Sequence, residues 1–182
     1  MNLHFDVTHG EVHLPNSLLI QPALTRTQLI NSCVIQNISL RPYSISSAPF
    51  KWFAVDGGQV EEEPLGVEFR FWGELLISAD LHLDRGGENR DFVDTKKRHD
   101  ALLKDRLGEP HELWDERRGN EHSIRLFPVY RYPWGKITSL QDGPVFIRVE
   151  YVDGRKAAER KFQRINVPEQ LSAVGRFRKG RF

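Results

Sequence analysis

Residues 67–83 read VEFRFWGELLISADLHL. Val67, Phe69 and Phe71 alternate with Glu68 and Arg70. Beyond Trp72-Gly73, Leu75, Ile77, Ala79, Leu81 and Leu83 alternate with Leu76, Ser78, Asp80 and His82. A period of two is the mark of a strand with one face in a core and the other toward water. Gly73 sits where the alternation breaks, and a residue without a side chain permits a bulge or a turn there. The segment therefore reads as two antiparallel strands, or as one long strand bent at Gly73.

Working outward, residues 3–7 and 12–14 alternate around the turn-like His9-Gly10 and read as a first hairpin. Thr25 can cap a short helix over 25–31, because its hydroxyl satisfies a free amide at a helix start. Residues 33–40 are apolar and β-branched and read as a strand. Residues 51–55 read as another, and 57–64, with Gly57, Gly58 and three glutamates, as an acidic loop. After the polar loop 84–91 the spacing predicts the principal helix over about 94–107, capped by Asp94, with Phe92, His99, Leu102, Leu103 and Leu107 on its apolar stripe. Gly108 and Pro110 end it. Residues 111–121 read as charged and exposed. Strands are expected at 124–132, from 137 and at 145–151, with Asp142-Gly143 as a hairpin turn and Asp153-Gly154 as another turn. Residues 155–163 fit either strand or helix. Residues 69–78 (FRFWGELLIS) and 130–139 (YRYPWGKITS) echo each other, which favours two similar strand–bend–strand units with Trp72 and Trp134 near a sheet rim. The expected fold is a single α+β domain over 1–174, a twisted, largely antiparallel sheet with one principal helix on one face, followed by a basic tail at 175–182.

Composition sets the outer limits. The chain has 182 residues, 39% hydrophobic and 28% charged, which suits a packed core and excludes collagen-like, coiled-coil and wholly disordered classes. No apolar run approaches the ~18 residues of a membrane span, and the start MNLHFDVTHGEV lacks the basic-then-apolar order of a secretory signal. The one cysteine, Cys33, admits no intramolecular disulfide and no cysteine zinc cage, and its apolar surroundings mark it as a small buried hydrophobe. The net charge of +1 conceals a split. Residues 155–182 carry nine Lys and Arg against Glu159 and Glu169, a net of +7. Residues 1–154 carry 17 cations and 23 acids, a net of −6. Such a split shapes local potential, and either pole can dock a partner of opposite sign.

Signatures of chemistry are sparse. Asp80, His82 and Asp84 share one side of a strand and could hold a cation, although the same pattern is simply a wet strand face. His9 and His13 do not converge in strand-and-turn sequence, and His111-Glu112 lacks a second histidine. His99-Asp100 resembles the pair of metal phosphohydrolases, but His99 lies on an apolar helix stripe, where a packed, hydrogen-bonded histidine is expected. No nucleophile elbow, P-loop or dinucleotide fingerprint is present, and Glu61–Glu63 have no fixed geometry. No resident metal or cofactor is expected. The aromatic-and-arginine runs Phe69–Trp72 and Tyr130–Trp134 would suit a stacking platform for single-stranded nucleic acid, or a sheet core with an arginine on the wet side.

Three patches carry a resemblance: TRTQLINS (25–32), KKRHDALLKDRLGEP (96–110), and YPWGKITSLQD (132–142) running into PVFIRVEYV. Together they resemble small bacterial proteins of the toxin-immunity type. The resemblance implies a cytoplasmic, non-enzymatic protein that binds and neutralises one cognate toxin domain; its acidic body suits a basic toxin such as a nuclease. It carries over no named residues. Strand face and loop position alone assign Asp80, His82, Asp84, Glu88, Asp91, Trp72 and Trp134 to the partner interface. The alternative is a nucleic-acid-binding module using Arg176, Arg178, Lys179 and Arg181 with exposed aromatics, and a third is a metal-dependent hydrolase built on Asp80, His82 and Asp84.

Overall fold

The computed structural model describes residues 2–43, 50–83, 92–116, 125–141, 145–156 and 159. It is an α+β fold. A small sheet of β1 (His4–Asp6), β2 (Glu11–His13) and β3 (Leu19–Ile20) precedes α1 (Arg26–Ile35). A large antiparallel sheet follows, with strands β4 (Leu40–Pro42), β5 (Phe50–Val60), β6 (Glu63–Trp72) and β7 (Leu75–Leu83), then α2 (Phe92–Leu107), then β8 (Glu112–Glu116), β9 (Arg125–Tyr132), β10 (Gly135–Gln141) and β11 (Val145–Tyr151). Its order is β4-β5-β6-β7-β11-β10-β9-β8, so it is two meanders joined by the β7–β11 pairing.

The stretch 67–83 is a hairpin. Gly73 turns with φ +59°, and the register slips between Arg70 and Phe71. The echo at 130–139 is a second hairpin, β9–β10. The β10–β11 hairpin is also formed, with Gln141 opposite Val145, although its tip at 142–144 lies outside the described residues.

One side of the large sheet is the core. Val55, Leu65, Val67, Phe69, Phe71, Ala79, Leu81, Ile137, Ile147, Val149 and Tyr151 are buried there against Phe5, Val12 and Ile20 of the small sheet, Leu29 and Cys33 of α1, and Leu103 of α2. Alternation puts every second residue of each strand on this side. Hydrogen bonds fix the two sheets together. Trp134 Nε1 donates to the Val7 carbonyl at 2.7 Å, and the buried Tyr151 hydroxyl donates to the Gly10 carbonyl at 3.1 Å. The Trp134 ring occupies the space that a side chain at Gly10 would need.

Several expectations are corrected. Residues 33–35 are helix, not strand. A capping box starts α1: Thr25 Oγ1 accepts from the Gln28 amide at 3.1 Å, and Gln28 Oε1 accepts from the Thr25 amide at 2.8 Å. Leu29 and Cys33, four apart, then bury one face while Val34 and Ile35 stay exposed. Asn37, left-handed at φ 53°, follows the helix end. The acidic loop 57–64 is mostly strand: β5 runs to Val60 through a register shift at Asp56–Gln59, and Glu61-Glu62 alone make the turn. Asp94 is not a cap but lies within the first turn of α2. Residues 112–116 form an edge strand rather than a solvated charged segment. Asp153-Gly154 belong to a helical stretch, 152–156, and a side chain at Gly154 would stand 1.9 Å from the Leu76 carbonyl oxygen. The division proposed at residue 174 lies outside the described residues.

Candidate functional site

The second side of the large sheet is polar, because the same alternation that buries Val67, Phe69, Ala79 and Val149 turns Glu68, Arg70, Asp80, His82, Arg148 and Glu150 the other way. Lys136 of β10 continues the surface, with Thr138 on the same side but buried, and Trp52 of β5 and Tyr43 begin it. Both helices and the small sheet contribute to the core on the first side.

At the centre, Asp80 and Arg148 face each other across the β7–β11 pairing. Arg148 Nε and Nη2 donate to Asp80 Oδ1 and Oδ2, both at 2.7 Å, a two-pronged contact that matches guanidinium to carboxylate. Asp80 is 6% exposed. The Arg148 guanidinium also lies 4.8 Å from the centre of the Phe146 ring. One strand away, the Arg70 guanidinium stands 4.2 Å above the Trp52 ring, a cation–π stack. Burial lowers the Arg70 pKa, and the nearby Arg148 charge adds to that. Two guanidiniums thus flank one buried carboxylate. His82 packs on Phe146 at 5.5 Å between ring centres and places Nε2 3.8 Å from Glu68 Oε1. The Tyr43 hydroxyl donates to Glu68, and burial together with that contact pushes its pKa up to about 12, so it stays a donor at neutral pH.

Toward β9 the pairs become more exposed. Glu150 accepts from Lys136 at 2.8 Å and from Arg155 at 3.0 Å, and Arg131 pairs with Glu112. Arg131, Lys136, Glu150 and Arg155 line a cleft of about 200 Å³ with Tyr132 and Tyr151. A separate cleft of about 280 Å³ lies between α2 and the β5–β6 hairpin, lined by Glu61, Glu63, Asp105, Leu102 and the Arg98 that pairs with Glu63.

Of the residues assigned from sequence, Asp80 and His82 share this polar side. Asp80 is not on an open wet face as the alternation alone suggests; its two oxygens are taken by Arg148. Trp72 is 5% exposed, packed edge-on against Phe50 at 4.7 Å, which leaves it little surface to offer. Trp134 stacks on Tyr132 at 5.1 Å and holds the small sheet. Phe69, Phe71 and Tyr130 are fully buried, so they form core and not a stacking platform. Asp84, Glu88, Asp91, Arg176, Arg178, Lys179 and Arg181 lie outside the described residues. Among the described residues, no three of His, Cys, Asp and Glu gather as a metal site.

The chain matches no family model, no curated protein and no solved structure. No described helix is long and apolar enough to cross a membrane.

Sequence reasoning missed Trp52, Arg70, Arg148 and Glu150 as members of one surface. Their alternation was visible, but the β7–β11 neighbourhood that brings Arg148 to Asp80 joins segments 68 residues apart. His99 is where the helix stripe placed it: fully buried, its Nε2 accepting from the Leu83 amide at 3.4 Å. Accepting there puts the ring proton on Nδ1, which has no hydrogen-bond partner among the described residues. Burial, with the neighbouring charges of His82, Arg98 and Lys96, lowers its pKa to about 4.

Proposed function

We propose that the protein is a non-enzymatic binding protein whose polar sheet face docks a protein partner, and that the partner is a cognate bacterial toxin domain that it neutralises in the cytoplasm. The observation that carries the reading is the composition of that face. Arginine, tryptophan and tyrosine are over-represented at protein interfaces, where a rigid aromatic or a fork of fixed donors gives contact area and specificity at low entropic cost. Here Arg70 is stacked on Trp52, Arg148 is held by Asp80 and Phe146, and Tyr43 is held by Glu68. Each group is oriented before any partner arrives, which lowers the ordering cost of association. Alternating charge signs across the strands suit discrimination between partners. The choice of a toxin domain as partner comes from the resemblance of the three sequence patches, and the net of −6 over residues 1–154 favours a basic one.

The test is affinity capture of the full chain from its own cells, at low and then high salt. A single protein retained in equal amount through the high-salt wash supports the reading, and loss of that protein's toxicity when the complex forms completes it. Nucleic acid that leaves with salt, without a protein partner, overturns it in favour of nucleic-acid binding.

A further inference from the structure

The cations of the polar face differ in what they hold. Arg148 holds Asp80, Lys136 and Arg155 hold Glu150, and Arg131 holds Glu112. Arg70 holds no carboxylate. Among the described residues no acceptor takes a proton from its guanidinium. Its Nε is enclosed, while the two terminal nitrogens keep contact with solvent. The acids whose charge reaches it are engaged elsewhere: Asp80 by Arg148, Glu150 by Lys136 and Arg155, and Glu68 by the Tyr43 hydroxyl.

This guanidinium is nevertheless fixed in place. It stands 4.2 Å above the Trp52 ring, and Tyr43 meets that ring edge-on at 6.2 Å. Its partner on β7 is Ser78, too short to cover it, with Glu150 one strand further. Burial opposes its charge. A half-buried cation without an acceptor costs free energy that a methionine in the same place would not, and the cost is recovered when an acceptor arrives.

We propose that Arg70 is the anchor of a carboxylate-binding site, occupied by an aspartate or glutamate side chain of the protein partner; this rests on the reading of a protein partner above. A stacked guanidinium presents its terminal N–H groups as a fixed fork, and a planar carboxylate matches the fork with two hydrogen bonds. The surrounding charges select a single negative charge. Arg148 adds attraction, whereas Asp80, Glu150 and Glu68 would repel a doubly charged phosphate twice as strongly as a carboxylate. The methylene stem of an acidic side chain can pack on Trp52 and on Tyr43, which is 38% exposed. A partner that is basic overall suits the acidic body, and one acid seated on Arg70 fixes its register.

The experiment uses the full chain, isotopically labelled in arginine. The Nε–H resonance of Arg70 is assigned by its loss in Arg70→Met, or in Arg70→Lys should the methionine variant fail to fold. It is then titrated at pH 7.5 with sodium acetate, sodium phosphate and sodium chloride at matched ionic strength. Acetate is expected to move the resonance to saturation, phosphate to move it less, and chloride not at all. Equal shifts with the three salts, or none, overturn the carboxylate site. A thermal melt separates binding from bracing: Arg70→Met should melt no lower than wild type, because it removes a desolvated cation that lacks a hydrogen bond. A clear fall in the midpoint would make the stack a structural brace and overturn the assignment. In affinity capture Arg70→Lys should hold the partner roughly tenfold or more less tightly, since an ammonium keeps the charge and loses the fork. A partner held equally by wild type and Arg70→Lys sinks the carboxylate contact and leaves the binding function standing. If acetate saturates the site and wild type retains no partner, the binding function fails and the occupant is a free small carboxylate.

Discussion

Acidification is expected to weaken this fold through one buried side chain, His99. The folded protein keeps the ring neutral, with a pKa of about 4 against 6.5 for a free histidine, chiefly because burial penalises the charged form. Below pH 6.5 the unfolded chain binds a proton at this ring that the folded chain refuses until about pH 4. The stability that His99 contributes is therefore complete above pH 6.5 and is lost progressively as the pH falls toward 4. Linkage sets the slope at about 1.4 kcal/mol per pH unit within that window, so about 2 kcal/mol is lost between pH 7 and 4.5. The assay is urea unfolding of wild type and His99→Leu at several pH values across that interval. Leucine leaves the Leu83 amide without its acceptor and is expected to lower stability at pH 7 by about 1–3 kcal/mol. It also removes the titration, so the gap between the two proteins should shrink by about 2 kcal/mol on going to pH 4.5. Curves that stay parallel would refute the reasoning and show that the ring is either charged or open to water in the folded state.

Four other perturbations follow from the geometry. Glu61 and Glu62 turn the β5–β6 hairpin with φ of 50° and 70°, a conformation that favours Asn-Gly; replacing them with Asn-Gly should raise stability by about 1–2 kcal/mol in a thermal melt. Asp80→Asn removes the charge held by Arg148 and leaves two guanidiniums close together, so it should cost about 3 kcal/mol in denaturant unfolding, with Arg148→Met in the same background recovering part of that loss. A side chain at Gly135 would stand 1.8 Å from the Glu150 carbonyl oxygen, so Gly135→Ala should cost about 3 kcal/mol or more by displacing β11, whereas Gly73→Ala meets open space and should cost only about 1–2 kcal/mol for its left-handed backbone.

Much of the sheet was legible because its signal is local. The alternation over 67–83 and 145–151 depends on neighbours two residues apart, and it located β6, β7 and β11 and their inward faces, except at the start of β7, where the register slip puts Leu76 in the core and leaves Leu75 exposed. The stripe Leu102, Leu103 and Leu107 located α2 in the same way. Failures came where a local preference met a stronger constraint. The β-branched run at 33–40 has strand propensity, but a capped helix already under way carries through Cys33 to Ile35 because Leu29 and Cys33 bury together. Gly57-Gly58 reads as a loop, yet its small residues let β5 bulge close to Leu65 and continue. The segment 112–116 lacks alternation because it is an edge strand with exposed apolar residues on it. The polar face was half legible. Asp80 and His82 were on it by parity, but their partners Arg148, Phe146 and Glu68 come from pairing order, which a single sequence does not display.

The claim that this face is the binding surface is tested most directly by running the affinity capture with wild type beside a variant carrying Trp52→Ala and Arg131→Glu. Trp52 supports the stacked Arg70 at one end of the face, and Arg131 is exposed at the other. The account predicts one protein partner retained by wild type through the high-salt wash and at least a hundredfold loss of affinity in the variant, with its fold intact by circular dichroism. A partner held equally well by both proteins would contradict it.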